Sequence, residues 1–216
     1  GNKVYNSDLL DRILQMKRGD VYDQTLMNKR LTSDDDAIGN LYYNNGYVFY
    51  RLNPVEVNVV GDSIDLEMRI QEGRQATFNH VPISGNDRVY ENVIRRELRT
   101  KPGDLFSMDN IKRSIQDLAQ MNQFDPEALQ NDFGQNGIKP DPVSGTVDLN
   151  YPLTSKGGDQ IELSAGWGQT GIVGRVGLKF TNFSVQNLFR KGYKRAGFIP
   201  QGDGQTLSLQ VQTNGT

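Results

Sequence analysis

The sequence predicts an α+β fold: two tandem copies of one β-α-α-β-β unit, followed by antiparallel β strands. Three observations predict it. The stretch KRGDVY at 17–22 recurs as KPGDLF at 101–106, so a unit repeats at an offset of 84 residues. Within each copy, apolar residues first recur at helical spacing and then alternate, the order expected of helices followed by strands. From Gly157 onward helical periodicity stops, and 12 of the chain's 23 glycines fall among alternating segments.

Composition bounds the function. Lys and Arg number 24 against 26 acids, a formal net charge of −2, which argues against a dedicated phosphate-backbone binder. No run of eighteen apolar residues is present, so no helix here spans a bilayer. Without Cys there is no disulfide, thiol catalysis or Cys-based zinc site. His80 is the single histidine and falls in a predicted strand, so a multi-histidine metal centre cannot be assembled and a Ser-His-Asp triad would have to use that residue. The GWGQTG segment lacks the strand-then-helix context of a phosphate cradle. We therefore expect no catalytic site, no cofactor and no metal.

The first strand of the unit is ATFNHVPIS in copy two, where Pro82 favours an edge position. In copy one the same strand would precede Gly1, so its sheet is expected to lack that strand and expose its last one, the parent chain having been cut there. The first helix begins at Asn6 or Ser7 and places Leu9, Leu10, Ile13 and Leu14 on one face; Val93, Ile94 and Leu98 do the same in copy two. Gly19 and Gly103 follow, expected to take the left-handed conformation that closes the last carbonyls. The Gly-Asp pair reads as a helix-to-helix corner, with Asp23 and Ser107 capping the next helix. Arg18-Gly19-Asp20 resembles an adhesion signal, yet its counterpart is Pro102-Gly103-Asp104, which favours the corner.

In copy two the second helix carries Ile111, Ile115, Leu118 and Ala119 on one face. Copy one holds seven extra residues there, including SDDD at 33–36. Clustered carboxylates suit a hard cation, but the preferred reading is a helix start with acids at the positive end of the dipole, the second helix being broken at that point. A hairpin ends each copy. Ile64, Leu66, Met68 and Ile70 alternate with polar residues and pair with YVFYRLNPVEVNV, with a turn at Gly61-Asp62 and an interruption at Asn53-Pro54. In copy two the paired strands are expected in EALQNDF and TVDLNYP.

A strand, two helices and a hairpin, with G-N before helix one, K-x-G-D-x-aromatic at the corner and G-Y or Q-F-D before the hairpin, resembles the POTRA domain. The resemblance implies two helices over a three-stranded sheet, with domains at 1–73, lacking its first strand, and 74–156, the membrane-proximal one. The last strand must lie parallel to the first, leaving the hairpin's first strand at a free edge. The short linker EGRQ at 72–75 makes the pair a stiff arm with one limited hinge.

Residues 157–216 carry roughly ten-residue alternating segments, the pattern of an outer-membrane β-barrel. Ile161, Leu163, Ala165 and Trp167 form one such set, Ile172 to Phe180 a second, and Leu207, Leu209 and Val211 a third. A soluble sandwich shares this alternation; following two POTRA-like units, QNLFRKGY resembles the junction into the barrel of BamA-type outer-membrane insertases. About three strands are too few to close a barrel.

The resemblance implies the periplasmic, client-binding part of an outer-membrane protein assembly factor, in which sheet edges capture client segments by strand addition. The candidate edges are Val48, Phe49, Tyr50, Arg51 and Leu52 in copy one, and Glu127, Ala128, Leu129, Gln130, Asn131, Asp132 and Phe133 in copy two. Arg190, Lys191, Lys194 and Arg195 could meet anionic lipid headgroups, a solvated turn being the plainer reading. Implied partners are unfolded outer-membrane proteins, a BamD-like lipoprotein and the outer membrane itself, through the barrel; nucleic acid is not among them. The implied location is the periplasmic face of the bacterial outer membrane. A two-partner secretion pore and a non-barrel POTRA scaffold are the alternatives.

Overall fold

The computed structural model describes residues 2–168, 171–190 and 199–214. Copy one opens with α1 (Ser7–Leu14), capped by Asn6, whose Oδ1 accepts from the Leu9 amide at 3.0 Å. Gln15, not Gly19, closes this helix: it sits at φ 57 and donates to the Asp11 carbonyl. Gly19 takes φ 92 inside the corner, where Asp20 accepts from the Lys17 amide at 2.8 Å. The glycine therefore turns the chain without capping the helix, and Gly103 at φ 90 repeats it.

Next come α2 (Gln24–Asn28), capped by Asp23, one π-helical turn over Lys29–Ser33, and α3 (Ile38–Tyr43). The second helix is thus broken at the insertion, but its acids do not start the next helix. Asp36 takes the Arg30 guanidinium through two bonds of 2.7 and 3.0 Å, and Asp34 adds a third at 3.2 Å. Arg30 also donates to the Ile13 carbonyl at 2.7 Å, so the acidic segment serves to fasten a buried arginine to α1. Among the described residues no group of three or more His, Cys, Asp or Glu is placed to hold a metal.

The hairpin follows as β1 (Arg51–Val60) and β2 (Ser63–Gln71), antiparallel and two-stranded among the described residues. β1 runs straight through Pro54; its irregularity lies between Glu56 and Asn58 instead. Leu10, Leu14, Met27, Leu31, Ile38, Tyr42 and Tyr50 form the buried cluster, with Leu66, Met68 and Ile70 of β2 packed against it.

Copy two contains β3 (Thr77–Phe78), β4 (Ile83–Ser84), α4 (Glu91–Glu97), α5 (Met108–Gln120) and α6 (Pro126–Asn136), then β5 (Ile138–Asp141), β6 (Thr146–Leu149) and β7 (Tyr151–Pro152). β3 pairs parallel with β6, β4 parallel with β7, and β5 antiparallel with β6. The last strand therefore does lie parallel to the first, and the hairpin's first strand is at an edge.

That strand is not where the sequence reading put it. Glu127, Ala128, Leu129, Gln130, Asn131, Asp132 and Phe133 are helical, inside α6. Asp125 caps the helix by accepting from the Glu127 and Ala128 amides at 2.9 and 3.2 Å, and Pro126 occupies its first turn, where a missing N–H costs nothing. Leu129 and Phe133, four apart, are buried, and the Phe133 ring lies 5.2 Å from that of Tyr151.

The tail forms β8 (Gln160–Gly168), β9 (Gly171–Phe183), α7 (Val185–Phe189) and β10 (Gln205–Asn214), with the strands in antiparallel order β10-β9-β8. By compactness the chain divides into two bodies. The first holds Gly1–Val81, Thr100–Lys112 and Ile138–Leu149; the second holds Pro82–Arg99, Arg113–Gly137 and Asn150–Thr216.

Candidate functional site in the sheet edges

Of the five copy-one candidates, only Arg51 and Leu52 lie on β1. Val48 and Phe49 form a turn. Tyr50 is buried, its ring stacked on Tyr42 at 4.2 Å and its amide bonded to the Tyr47 carbonyl at 3.1 Å. The usable edge in copy one is accordingly 51–60.

Register tells which backbone groups that edge offers. Val60 pairs with Ser63 across the two-residue Gly61-Asp62 turn, a pair that exchanges hydrogen bonds in such hairpins. Alternating back along the ladder, and allowing for the bulge, Leu52, Pro54, Glu56 and Val59 direct their backbone groups away from β2. Proline, which has no N–H, falls at one of these outward positions, as an edge strand requires. The free edge of β1 thus carries three donors and four acceptors.

β5 is poorer. The Asn79 amide donates to the Val147 carbonyl at 2.9 Å and the Leu149 amide to the His80 carbonyl at 2.8 Å. Val147 and Leu149 thereby turn their backbone groups toward β3, so Ile138 and Pro140, their partners on β5, face outward. Since Pro140 has no N–H, Ile138 supplies the one donor. The edge of β1 therefore exposes more backbone hydrogen-bonding groups than that of β5.

Two local devices hold the copy-one sheet and its exit. Glu72, just past β2, accepts from the Lys3 amide at 2.7 Å, the Val4 amide at 3.0 Å and the Tyr42 hydroxyl at 2.8 Å. Burial works to raise the Glu72 pKa, but these bonds outweigh it and hold the carboxyl below its usual range. Burial also pushes the Tyr42 hydroxyl up, with Glu72 adding to the effect, so it stays a donor. At the exit, the Ala76 amide donates to the Gly46 carbonyl at 2.9 Å and Gln75 to the Asn45 carbonyl at 3.1 Å. Gly46 sits at φ 90 with Leu105 so close that a Cβ would come within 2.6 Å of it. The EGRQ linker is fastened on both sides of its end.

The tail sheet has two chemically different faces. Ile161, Leu163, Ala165 and Trp167 share one face with Val176, Leu178 and Phe180 and with Leu207, Leu209 and Val211, as the pairings Leu163 with Val176 and Val176 with Val211 require. The other face carries Glu162, Ser164, Arg175, Lys179, Ser208, Gln210 and Gln212. Both faces are exposed; on the apolar one Trp167 is 85% exposed, Leu163 74% and Val211 70%. Arg190 is exposed at the end of α7, while Lys191, Lys194 and Arg195 lie outside the described residues.

Sequence reasoning missed Asn182 and Asn187. Asn182 is buried, donates to the Arg88 carbonyl at 2.7 Å and accepts from the Gly202 and Gly204 amides at 3.2 and 3.0 Å. Asn187 donates to the Tyr90 hydroxyl and the Gln201 carbonyl, both at 2.8 Å. The available signal was Ser184, whose Oγ accepts from the Asn187 amide at 3.1 Å and caps α7.

Comparison with known proteins gives the family and the fold. The family described as POTRA, surface antigen variable number repeat, matches residues 1–73 and 76–156. The chain is 30% identical over 199 residues to the outer membrane protein assembly factor BamA of Neisseria meningitidis serogroup B, covering 90% of this chain and 23% of that protein. It is 26% identical over 172 residues to BamA of Nitratidesulfovibrio vulgaris, covering 76% of this chain and 19% of that one. The chain thus spans less than a quarter of the length of these curated relatives. Its fold is shared with the crystal structure of Haemophilus ducreyi BamA lacking POTRA domains 1–3, at a TM-score of 0.70 and 15% identity over 99% of this chain and 36% of that one. The Haemophilus influenzae BamA POTRA3–5 structure matches at 0.54 with 18% identity, over 68% and 55% of the two chains. The chain belongs to the POTRA family and is homologous to the BamA outer membrane protein assembly factors.

Proposed function

We propose that this chain is the periplasmic arm and barrel entrance of an outer-membrane protein assembly factor, with the edge of β1 receiving extended segments of unfolded outer-membrane proteins. Such proteins share little side-chain sequence, so a receptor for many of them gains from reading the backbone alone. The observation that carries this reading is the outward backbone row of Leu52, Pro54, Glu56 and Val59, in a chain homologous to assembly factors. A BamD-like lipoprotein is the further partner this reading entails. The sheet of β8, β9 and β10 begins the barrel wall, its apolar face toward lipid and its polar face inward, the inverse of a water-soluble sheet.

Glu56→Pro tests the edge. It removes one outward donor beside Pro54 and leaves the bonds to β2 in place. Photocrosslinking to a peptide copied from the last strand of an outer-membrane barrel protein should fall about fivefold, the equivalent of one hydrogen bond near 1 kcal/mol, with far-UV circular dichroism unchanged. Undiminished crosslinking overturns the edge mechanism.

A further inference from the structure

We infer that α7 is an interfacial anchor, laying Val185, Leu188 and Phe189 into the boundary between lipid headgroups and acyl chains. The inference rests on the reading of β8–β10 as membrane wall and adds a contact outside the strands.

The helix is amphipathic the wrong way round for water. Val185, Leu188 and Phe189 fall at i, i+3 and i+4, one face of a helix, and are 47%, 45% and 79% exposed. Asn187 points the other way and is 3% exposed, with its side chain held by Tyr90 and Gln201. A helix in water buries its apolar stripe and solvates its amide. The reversed arrangement is stable where the outside is apolar.

Position and length point to lipid as the occupant rather than a protein partner. α7 lies in the β9–β10 connection, just beyond Phe183, which pairs with no residue of β8 but faces Gln205 at the start of β10. Trp167 lies at the opposite end of the sheet, paired with Ile172. From Ile172 to Phe183 is about eleven residues, or roughly 36 Å at about 3.3 Å per residue. A strand tilted about 45° then rises roughly 25 Å, the height of the apolar band of outer-membrane barrels, which is bordered by aromatic girdles at both interfaces. Trp167 and Phe189 are the exposed aromatics at the two ends of that span. Arg190 follows Phe189 directly and is exposed, placing a cation where anionic phosphates would stand.

Tryptophan quenching in vesicles separates this inference from the one beneath it. The native Trp167 reports the sheet; Phe189→Trp in a Trp167→Phe background reports α7. The full chain is mixed with vesicles of phosphatidylcholine and phosphatidylglycerol, brominated either near the carbonyl end of the acyl chains or near their terminal methyls. The α7 reporter should lose about half its fluorescence to the shallow bromines and less to the deep ones, as an interfacial helix requires. Quenching of Trp167 without quenching of the α7 reporter overturns the anchor and leaves the membrane wall standing. Stronger quenching by deep bromines overturns the interfacial placement. Silence from both reporters removes the wall and the anchor together.

Discussion

Glu72 shows how much one side chain can gather in this chain. Two amides near the start of the chain and a tyrosine hydroxyl converge on its carboxylate, closing copy one across a sequence separation of 69 residues. Glu72→Gln keeps the shape but has a single acceptor oxygen, so at neutral pH it should cost about 1–3 kcal/mol of stability. The pH dependence has a definite sign. Because the folded pKa is depressed, the carboxylate's contribution is present above the unfolded value, about 4.3 for Glu, and is lost as pH falls through the folded value. Urea melts of the two proteins should therefore differ most near neutrality and converge in acid. A gap that widens on acidification would mean that Glu72 is not stabilised as an anion. Neither Glu72 nor Arg30 was legible in the sequence as a structural centre, since each is defined by backbone groups far along the chain. The corner glycines were legible, because positive φ at Gly19 and Gly103 follows from turn chemistry. The left-handed Gln15 was not, for nothing in a glutamine side chain announces it.

At the level of elements, what failed was the assumption that both copies pass directly from second helix to hairpin. Carrying the copy-one alignment forward turned EALQNDF into a strand, although Asp125, Pro126 and Glu127 are a helix-start signature in their own right. The true edge, β5, is four residues long and includes Pro140; so short and polar a segment has no alternation to read. The alternating strands β2, β8 and β9 were legible for the converse reason, each being long enough for period two to stand out. The helical assignment has a measurable consequence at Gln130, an exposed position inside α6. Gln130→Pro removes an interior helical bond and clashes with the preceding turn, so it should cost about 3 kcal/mol or more and reduce the helical far-UV signal. A proline at a sheet edge would leave that signal intact, as Glu56→Pro is expected to do on β1. The pair of variants distinguishes an edge from a helix in one spectroscopic comparison.

Taken whole, the molecule must keep ordered a sheet with a broad exposed apolar face. That sheet gains little from burial in water, so its order there depends on its own ladders and on polar fastenings within the second body. Asn182 is the chief of these, tying the Arg88 carbonyl to the Gly202 and Gly204 amides, while the Tyr90 amide donates to the Gly202 carbonyl at 2.9 Å. The start of α4 is thereby joined to the segment that leads into β10, and Asn187 adds a second join at the Tyr90 hydroxyl. Asn182→Ala would strip this partner from the Gly204 amide and the Arg88 carbonyl, the Gly202 amide keeping its bond to the Asn182 main-chain carbonyl at 3.1 Å; at a site that is 1% exposed the cost should be about 2–4 kcal/mol, set by leaving buried groups unmade. The loss should be local. Hydrogen exchange followed by mass spectrometry should show faster exchange at Tyr90 and across 199–204, with β1 and β2 keeping wild-type protection. Equal acceleration in both bodies would mean that the chain unfolds as one unit and that Asn182 supports global stability; no change at 199–204 would mean that the ladder of β9 and β10 suffices without it.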